Sequence, residues 1–195
     1  MTDAAQPLAA RLRAPRVYVV DDAIEPAVAV ELGRWLHDQR HRFGRVGDVD
    51  GAREIAHELV DFDEHAPELA ATIRAAVLQH HQAACAACFV TPFDPAGVEM
   101  RATLHHHGGH HGWRLGYAEP RSIDYVLTLR SDPPMFRGGE LETLDGSTFE
   151  PVSGRLVYIH PEVARRVRLV ECWSAHVLHG RWSIRGAVLS TETRG

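Results

Sequence analysis

From Val98 to Leu189 the chain is cut into short runs of strand-forming residues with turn chemistry between them. The runs are Met100–Leu104, Ile123–Leu129, Glu140–Leu144, Arg155–Ile159, Val167–Val170 and Trp182–Leu189. Asp132-Pro133-Pro134, Gly138-Gly139, Asp145-Gly146 and Ser153-Gly154 punctuate them. Runs this short end before a helix would repay its nucleation, so they predict strands. The first half reads differently. Val17–Val20 predicts a buried strand closed by Asp21-Asp22. A helix is predicted from about Glu25 to Gln39, with Val28, Val30, Leu32, Trp35 and Leu36 near helical spacing. Arg40–Ala52 reads as a loop. A second helix runs from about Ala66 to Cys88 on a stripe of Leu69, Ile73, Val77 and Leu78, and Pro92, Pro95 and Gly97 end it. Helices followed by six to eight short strands predict an α+β fold, the strands closing into a sandwich or barrel that the helices buttress on one sheet. The expected organisation is one domain over 1–195, with support elements in 1–97 and the β core in 98–195.

Composition narrows the functional classes. A net charge of -5 offers no basic footprint for nucleic acid or for an anionic membrane surface. No apolar run is long enough to span a bilayer, and Met1–Ala14 has no apolar core of a signal peptide. Three cysteines, an odd number, predict a reduced, cytoplasmic protein without a disulfide framework. Every basic residue is Arg, which fits a GC-rich, bacterial coding bias. Cys85 and Cys88 form a C-x-x-C inside an Ala-rich helical run, where small residues pack and no second pair completes a zinc or redox motif.

The stretch Leu104–Gly116 holds five of the fourteen histidines. In an extended strand alternate residues share a face, so His106 and His110 can point the same way as position 114. His160 ends the Arg155–Ile159 run, and His176 lies shortly before Arg181. Neutral imidazole suits iron, zinc, copper and nickel alike. His106, His110, His111, His160 and His176 are therefore candidate metal ligands. The alternative is a hydrogen-bonded, solvated loop that takes up metal adventitiously.

Four motifs carry a resemblance. They are Phe136-Arg137-Gly138-Gly139-Glu140-Leu141, Pro151-Val152-Ser153-Gly154-Arg155-Leu156-Val157, Arg121-Ser122-Ile123-Asp124-Tyr125-Val126-Leu127-Thr128-Leu129 and Gly180-Arg181-Trp182-Ser183-Ile184-Arg185-Gly186. In this order and spacing the chain resembles the prolyl-4-hydroxylase-like 2-oxoglutarate/Fe(II) oxygenases over roughly Val17 to Leu189. The resemblance implies a double-stranded β-helix, or jelly roll, with N-terminal supporting helices. It also implies iron held by two His and one carboxylate, with 2-oxoglutarate beside it.

Laid on this sequence, the family pattern puts Arg114 where the first His belongs and Gly116 where the Asp belongs. Arg165 or Arg166 takes the place of the distal His. Arg181 matches the arginine that anchors 2-oxoglutarate. A guanidinium stays protonated and has no lone pair to give a metal. Three arginines would instead favour a planar anion held bidentately. The candidate ligand-binding residues are Arg114, Arg165, Arg181, Trp113 and Tyr125, unless Arg114 and Arg165 point outward to Glu119 or Glu162.

Three expectations follow from fold and site together. The first is a pseudo-oxygenase, or an enzyme of altered chemistry, that binds a small anionic molecule, 2-oxoglutarate being one candidate. The second is an active Fe(II)/2-oxoglutarate oxygenase whose metal ligands have moved to the His-rich stretch. The third is a non-enzymatic partner subunit, in a hetero- or homo-oligomer.

Overall fold

The computed structural model describes residues 16–46, 54–116, 122–130, 134–174, 176 and 179–191. Met1–Ala14, Glu119, Arg121 and Asp132-Pro133 lie outside them. The chain opens with β1 (Val17–Val20), α1 (Pro26–Asp38), a turn of 3-10 helix (Arg40–Arg42), β2 (Gly44–Val46) and β3 (Glu54–Leu59). Next come α2 (Phe62–His65), α3 (Pro67–Ala87), β4 (Pro95–Val98), β5 (Arg101–His105) and β6 (His110–Arg114). The remaining strands are β7 (Ser122–Leu129), β8 (Phe136–Gly138), β9 (Leu141–Thr143), β10 (Thr148–Phe149), β11 (Leu156–Ile159), β12 (Arg165–Val167), β13 (Val170–Cys172) and β14 (Arg181–Ser190). Pro26 and Pro67 each stand in the first turn of their helix, where the missing N–H has no partner to lose.

The larger sheet runs β1-β11-β7-β14-β5-β3, and β3 continues into a smaller sheet, β3-β6-β12-β9-β10. β3 makes the seam. Residues 57–59 pair with β5 and residues 54–55 pair with β6. β14 lies inside the larger sheet, bonded to β7 on one side and to β5 and β4 on the other. β8 and β13 form a separate ribbon. This is the expected jelly roll, an α+β double-stranded β-helix with N-terminal helices.

The larger sheet is buried on both faces, and the period of two sorts its side chains. Ile123, Tyr125, Leu127 and Leu129 of β7, Leu156 and Tyr158 of β11, and Trp182 and Ile184 of β14 meet Leu32, Leu36, Phe62, Ile73 and Val77 of the helices. The opposite face carries Val126, Val157 and Ile159, which close a second apolar cluster with Leu141, Val163 and Val167 of the smaller sheet side. Cys85 and Cys88 are buried in the helical layer, and burial pushes their thiols up to about 11 and about 12, which keeps them protonated.

Several expectations are corrected. Arg40–Ala52 is not all loop, since it contains the 3-10 turn and β2. The predicted Val167–Val170 run is divided between β12 and β13. Pairing with β9 ends at Val167, and the partner from Val170 onward is β8. Among the described residues no helix is long and apolar enough to cross a membrane.

Candidate functional site

Between the two sheets the inner face of the barrel is polar. β5 contributes Thr103 and His105, β7 contributes Asp124 and Thr128, and β14 contributes Arg181 and Ser183, each 4% exposed or less. Register brings them side by side. Arg181 faces His105, and Ser183 faces Thr103 on one side and Thr128 on the other. The smaller sheet supplies the opposing wall, where Arg165 of β12 pairs with Arg114 of β6 and Val167 pairs with His111.

The two walls are joined by an ion pair. Arg165 Nη2 lies 2.6 Å from Asp124 Oδ2, with the side chains 8% and 0% exposed. The turn after β6 leaves room for them because residue 116 is glycine. A Cβ there would be driven into Asp124 Oδ2 and would stand 2.9 Å from Arg165 Nη1. The Gly116 N–H donates to Pro161 O at 2.9 Å, which fixes the backbone against the pair.

Arg181 sits deeper. It donates from Nη1 to Ser183 Oγ at 3.3 Å, and its Nε has no hydrogen-bond partner within the protein. Burial pushes its pKa down to about 10, opposed by the charge of Glu140, so it remains a cation at neutral pH. The Gly138-Gly139 turn covers its stem. Both glycines have positive φ, 74° and 75°, and a Cβ on Gly139 would stand 2.9 Å from Arg181 Cδ.

Two imidazoles share this interior. Burial, then Arg114, then Arg165 and Arg181 drive the His111 pKa down to about 3, against the hydrogen bond to Gly112 O. Burial first, then Arg181, His111 and Arg114, hold His105 well below the ordinary value. Both rings are neutral at neutral pH, so the interior is cationic through its arginines alone.

Comparison with known proteins agrees with this architecture. The chain superposes on a Pseudomonas putida prolyl-4-hydroxylase with a TM-score of 0.65 at 18% identity, covering 89% of this chain and 92% of that one. It superposes on the non-heme alpha ketoglutarate dependent epimerase SnoN from nogalamycin biosynthesis with a TM-score of 0.62 at 13% identity, covering 94% and 82%. The chain has the prolyl-4-hydroxylase-type oxygenase fold. In sequence it is 23% identical over 166 residues to an uncharacterised PKHD-type hydroxylase of Synechocystis sp., covering 76% of this chain. The chain spans about half the length of that curated relative, 55%. No protein-family model matches it.

In this oxygenase fold the sequence-predicted residues divide into an inner and an outer group. Arg165 and Arg181 are buried, 7% and 1% exposed, Arg114 is half-buried across from Arg165, and Arg166 is not buried. Arg165 does not reach Glu162, which pairs with Arg16 at 3.1 Å instead.

Trp113 is a correction. It alternates away from Arg114 and is 41% exposed on the outer face, with Arg166 Cζ 4.8 Å above its ring. Tyr125 is a second correction. It belongs to the helix-facing core and donates to Glu99 O at 2.7 Å, so it does not line the interior.

The five candidate metal histidines do not come together. His111 lies inside the barrel. His110, on the next position of β6, donates from Nδ1 to Gly108 O at 3.1 Å. His106 donates from Nε2 to His176 O at 3.2 Å, and the His176 ring stacks on His37 of α1 at 5.7 Å. His160 follows the last residue of β11, where its Nδ1 accepts from the Glu162 N–H at 3.1 Å. Among the described residues no three His, Cys, Asp or Glu side chains are grouped to hold a metal ion.

Arg114, Gly116 and Arg165, the residues that the resemblance sets against the family's metal ligands, do not fit an iron ion. Two of the three are guanidiniums, and the space beside the third, Gly116, is filled by the Asp124–Arg165 pair. Beside them, Arg181 has an Nε without a hydrogen-bond partner in the protein, and the Ser183 and Thr128 hydroxyls face each other across β14 and β7.

Asp124, His105, Ser183 and Thr128 were not among the predicted site residues. The signal for Asp124 and Thr128 is the polar period of two through Ser122, Asp124 and Thr128 in a strand whose other face is apolar. In a closed barrel that pattern marks a polar lumen.

Proposed function

We propose that this chain is an oxygenase-fold protein that binds a small anionic molecule, a carboxylate, inside a cationic barrel, in place of the family's iron chemistry. The observation that carries the reading is the buried Asp124–Arg165 ion pair packed on Gly116. It supplies a fixed, internally neutralised pair where metal chemistry would need free ligands. Arg181, buried and still charged, supports a ligand carboxylate at the other end of the cluster. The dispersal of His106, His110, His160 and His176 weighs against relocated iron ligands.

The test is metal content and ligand binding on the same preparation, without a His tag. After anaerobic reconstitution with Fe(II), with and without 2-oxoglutarate, substoichiometric iron is expected. A rise in thermal midpoint with 2-oxoglutarate or another dicarboxylate is expected from the same sample, because a ligand that binds only the folded state stabilises it. One iron per chain would overturn the proposal.

A further inference from the structure

The helical layer carries a cavity of about 380 Å³ that shares no residue with the barrel interior. Val28, Glu31 and Trp35 form one wall, on a single face of α1. Ala66, Glu68 and Leu69 form the other, where α3 begins. Val28, Trp35 and Leu69 are half-buried and pack against the core, so the floor is apolar, while Glu31 and Glu68 are exposed. The Trp35 indole is braced edge to face on the buried Phe62 ring, with centroids 5.3 Å apart.

Charge at this cavity has one sign. No Arg or His lines it. Among the described residues neither the Glu31 nor the Glu68 carboxylate has an ion pair or a hydrogen bond. Arg74 of α3 pairs with Asp63 at 4.0 Å instead. Glu68 has a reason to be there without any ligand, since a carboxylate in the first turn of α3 complements the helix dipole. Glu31 has no such reason. It lies in the middle of α1, between Val28 and Trp35 on the cavity wall.

These features together select a chemical class. An anion meets only repulsion from the two carboxylates. A neutral apolar molecule leaves them unused, and a bare metal cation leaves the apolar floor and the indole unused. An ammonium head on an apolar body uses all three, since a cation is attracted both to carboxylates and to an aromatic ring. The volume is that of a small-molecule site. We propose that this cavity binds a small organic ammonium ion, its body against Val28, Leu69 and Trp35 and its head at Glu31 and Glu68. The site stands or falls apart from the anion-binding reading above.

The experiment is a 1H–15N titration of the full chain with three probes of one phenethyl skeleton, namely phenethylamine, phenethyl alcohol and phenylpropionate. The Trp35 indole N–H reports on this cavity alone. It is expected to shift with phenethylamine about fivefold or more tighter than with the alcohol, from an exposed cation–π contact and an exposed ion pair together. Phenylpropionate should leave it unmoved. The double variant Glu31→Gln, Glu68→Gln changes two exposed positions and is expected to bring the amine within about twofold of the alcohol.

Equal response of the Trp35 signal to amine and alcohol in the wild type would overturn the proposal, because charge would then play no part. No response to phenethylamine would overturn it as well. So would a response to the amine that the double variant leaves unchanged, since the cation would then lie elsewhere.

Discussion

Asp124 and Arg165 show how a single residue becomes indispensable through its partner. Each is buried, and each is neutralised by the other at 2.6 Å. Removing one leaves an uncompensated charge in the barrel, which costs far more than the pair itself contributes. Asp124→Ala is expected to lower stability by about 3–5 kcal/mol, read from urea denaturation. Replacing both partners together with apolar residues should cost much less, and a double-mutant cycle would show the difference. Gly116→Ala is expected to destabilise by about 1–3 kcal/mol by forcing the pair apart. That Arg165 and Arg181 belong to short strands was legible from the spacing of the flanking motifs, and both are buried. The burial of Asp124 was not legible. Within Ile123–Leu129 an acidic residue reads as solvent-facing, and only closure of the second sheet over it turns that face into a lumen.

At the scale of the element, legibility followed local propensity. The strand β7 is rich in β-branched and aromatic residues, eight of its eight positions are buried, and its sequence declared it. The strand β6 reads His-His-Gly-Trp-Arg, and β3 reads Glu-Ile-Ala-His-Glu-Leu. Neither composition favours extended structure. Their pairing with each other and with β5 and β12 imposes it, so tertiary context overrode propensity. The missed register of β6 also explains the misplacement of Trp113, one position from Arg114 and on the opposite face. Trp113→Ala is therefore expected to cost no more than about 1 kcal/mol, the range of an exposed cation–π contact, and to leave anion binding unchanged. Gly139→Ala should do the reverse. Its Cβ would press on the Arg181 stem at a positive-φ position, so ligand affinity should fall in titration.

The whole molecule has a cationic interior lined with imidazoles that stay neutral, and this sets its acid response. His105 and His111 hold protons less well in the folded barrel than in the unfolded chain. Above the unfolded value of about 6.5 both states are neutral and stability is full. As pH falls from about 6.5 toward the His111 value of about 3, the unfolded chain takes up protons that the barrel refuses. Stability is expected to fall by about 1.4 kcal/mol per pH unit for each histidine, measured as the urea midpoint at successive pH values. His111→Phe should flatten that slope. A slope unchanged from pH 7 to pH 4.5 would show that the imidazoles are not held neutral.

The position of β14 has a consequence for how the chain is made. The strand that fills the middle of the larger sheet comes last among the described elements, and its neighbours β5 and β7 were synthesised some sixty to eighty residues earlier. Until residues 181–190 leave the ribosome, those two strands expose unpaired inner edges, the kind of surface on which nascent chains aggregate. The barrel therefore assembles late, from contacts distant in sequence, and its yield in a cell depends on what shields that gap during translation.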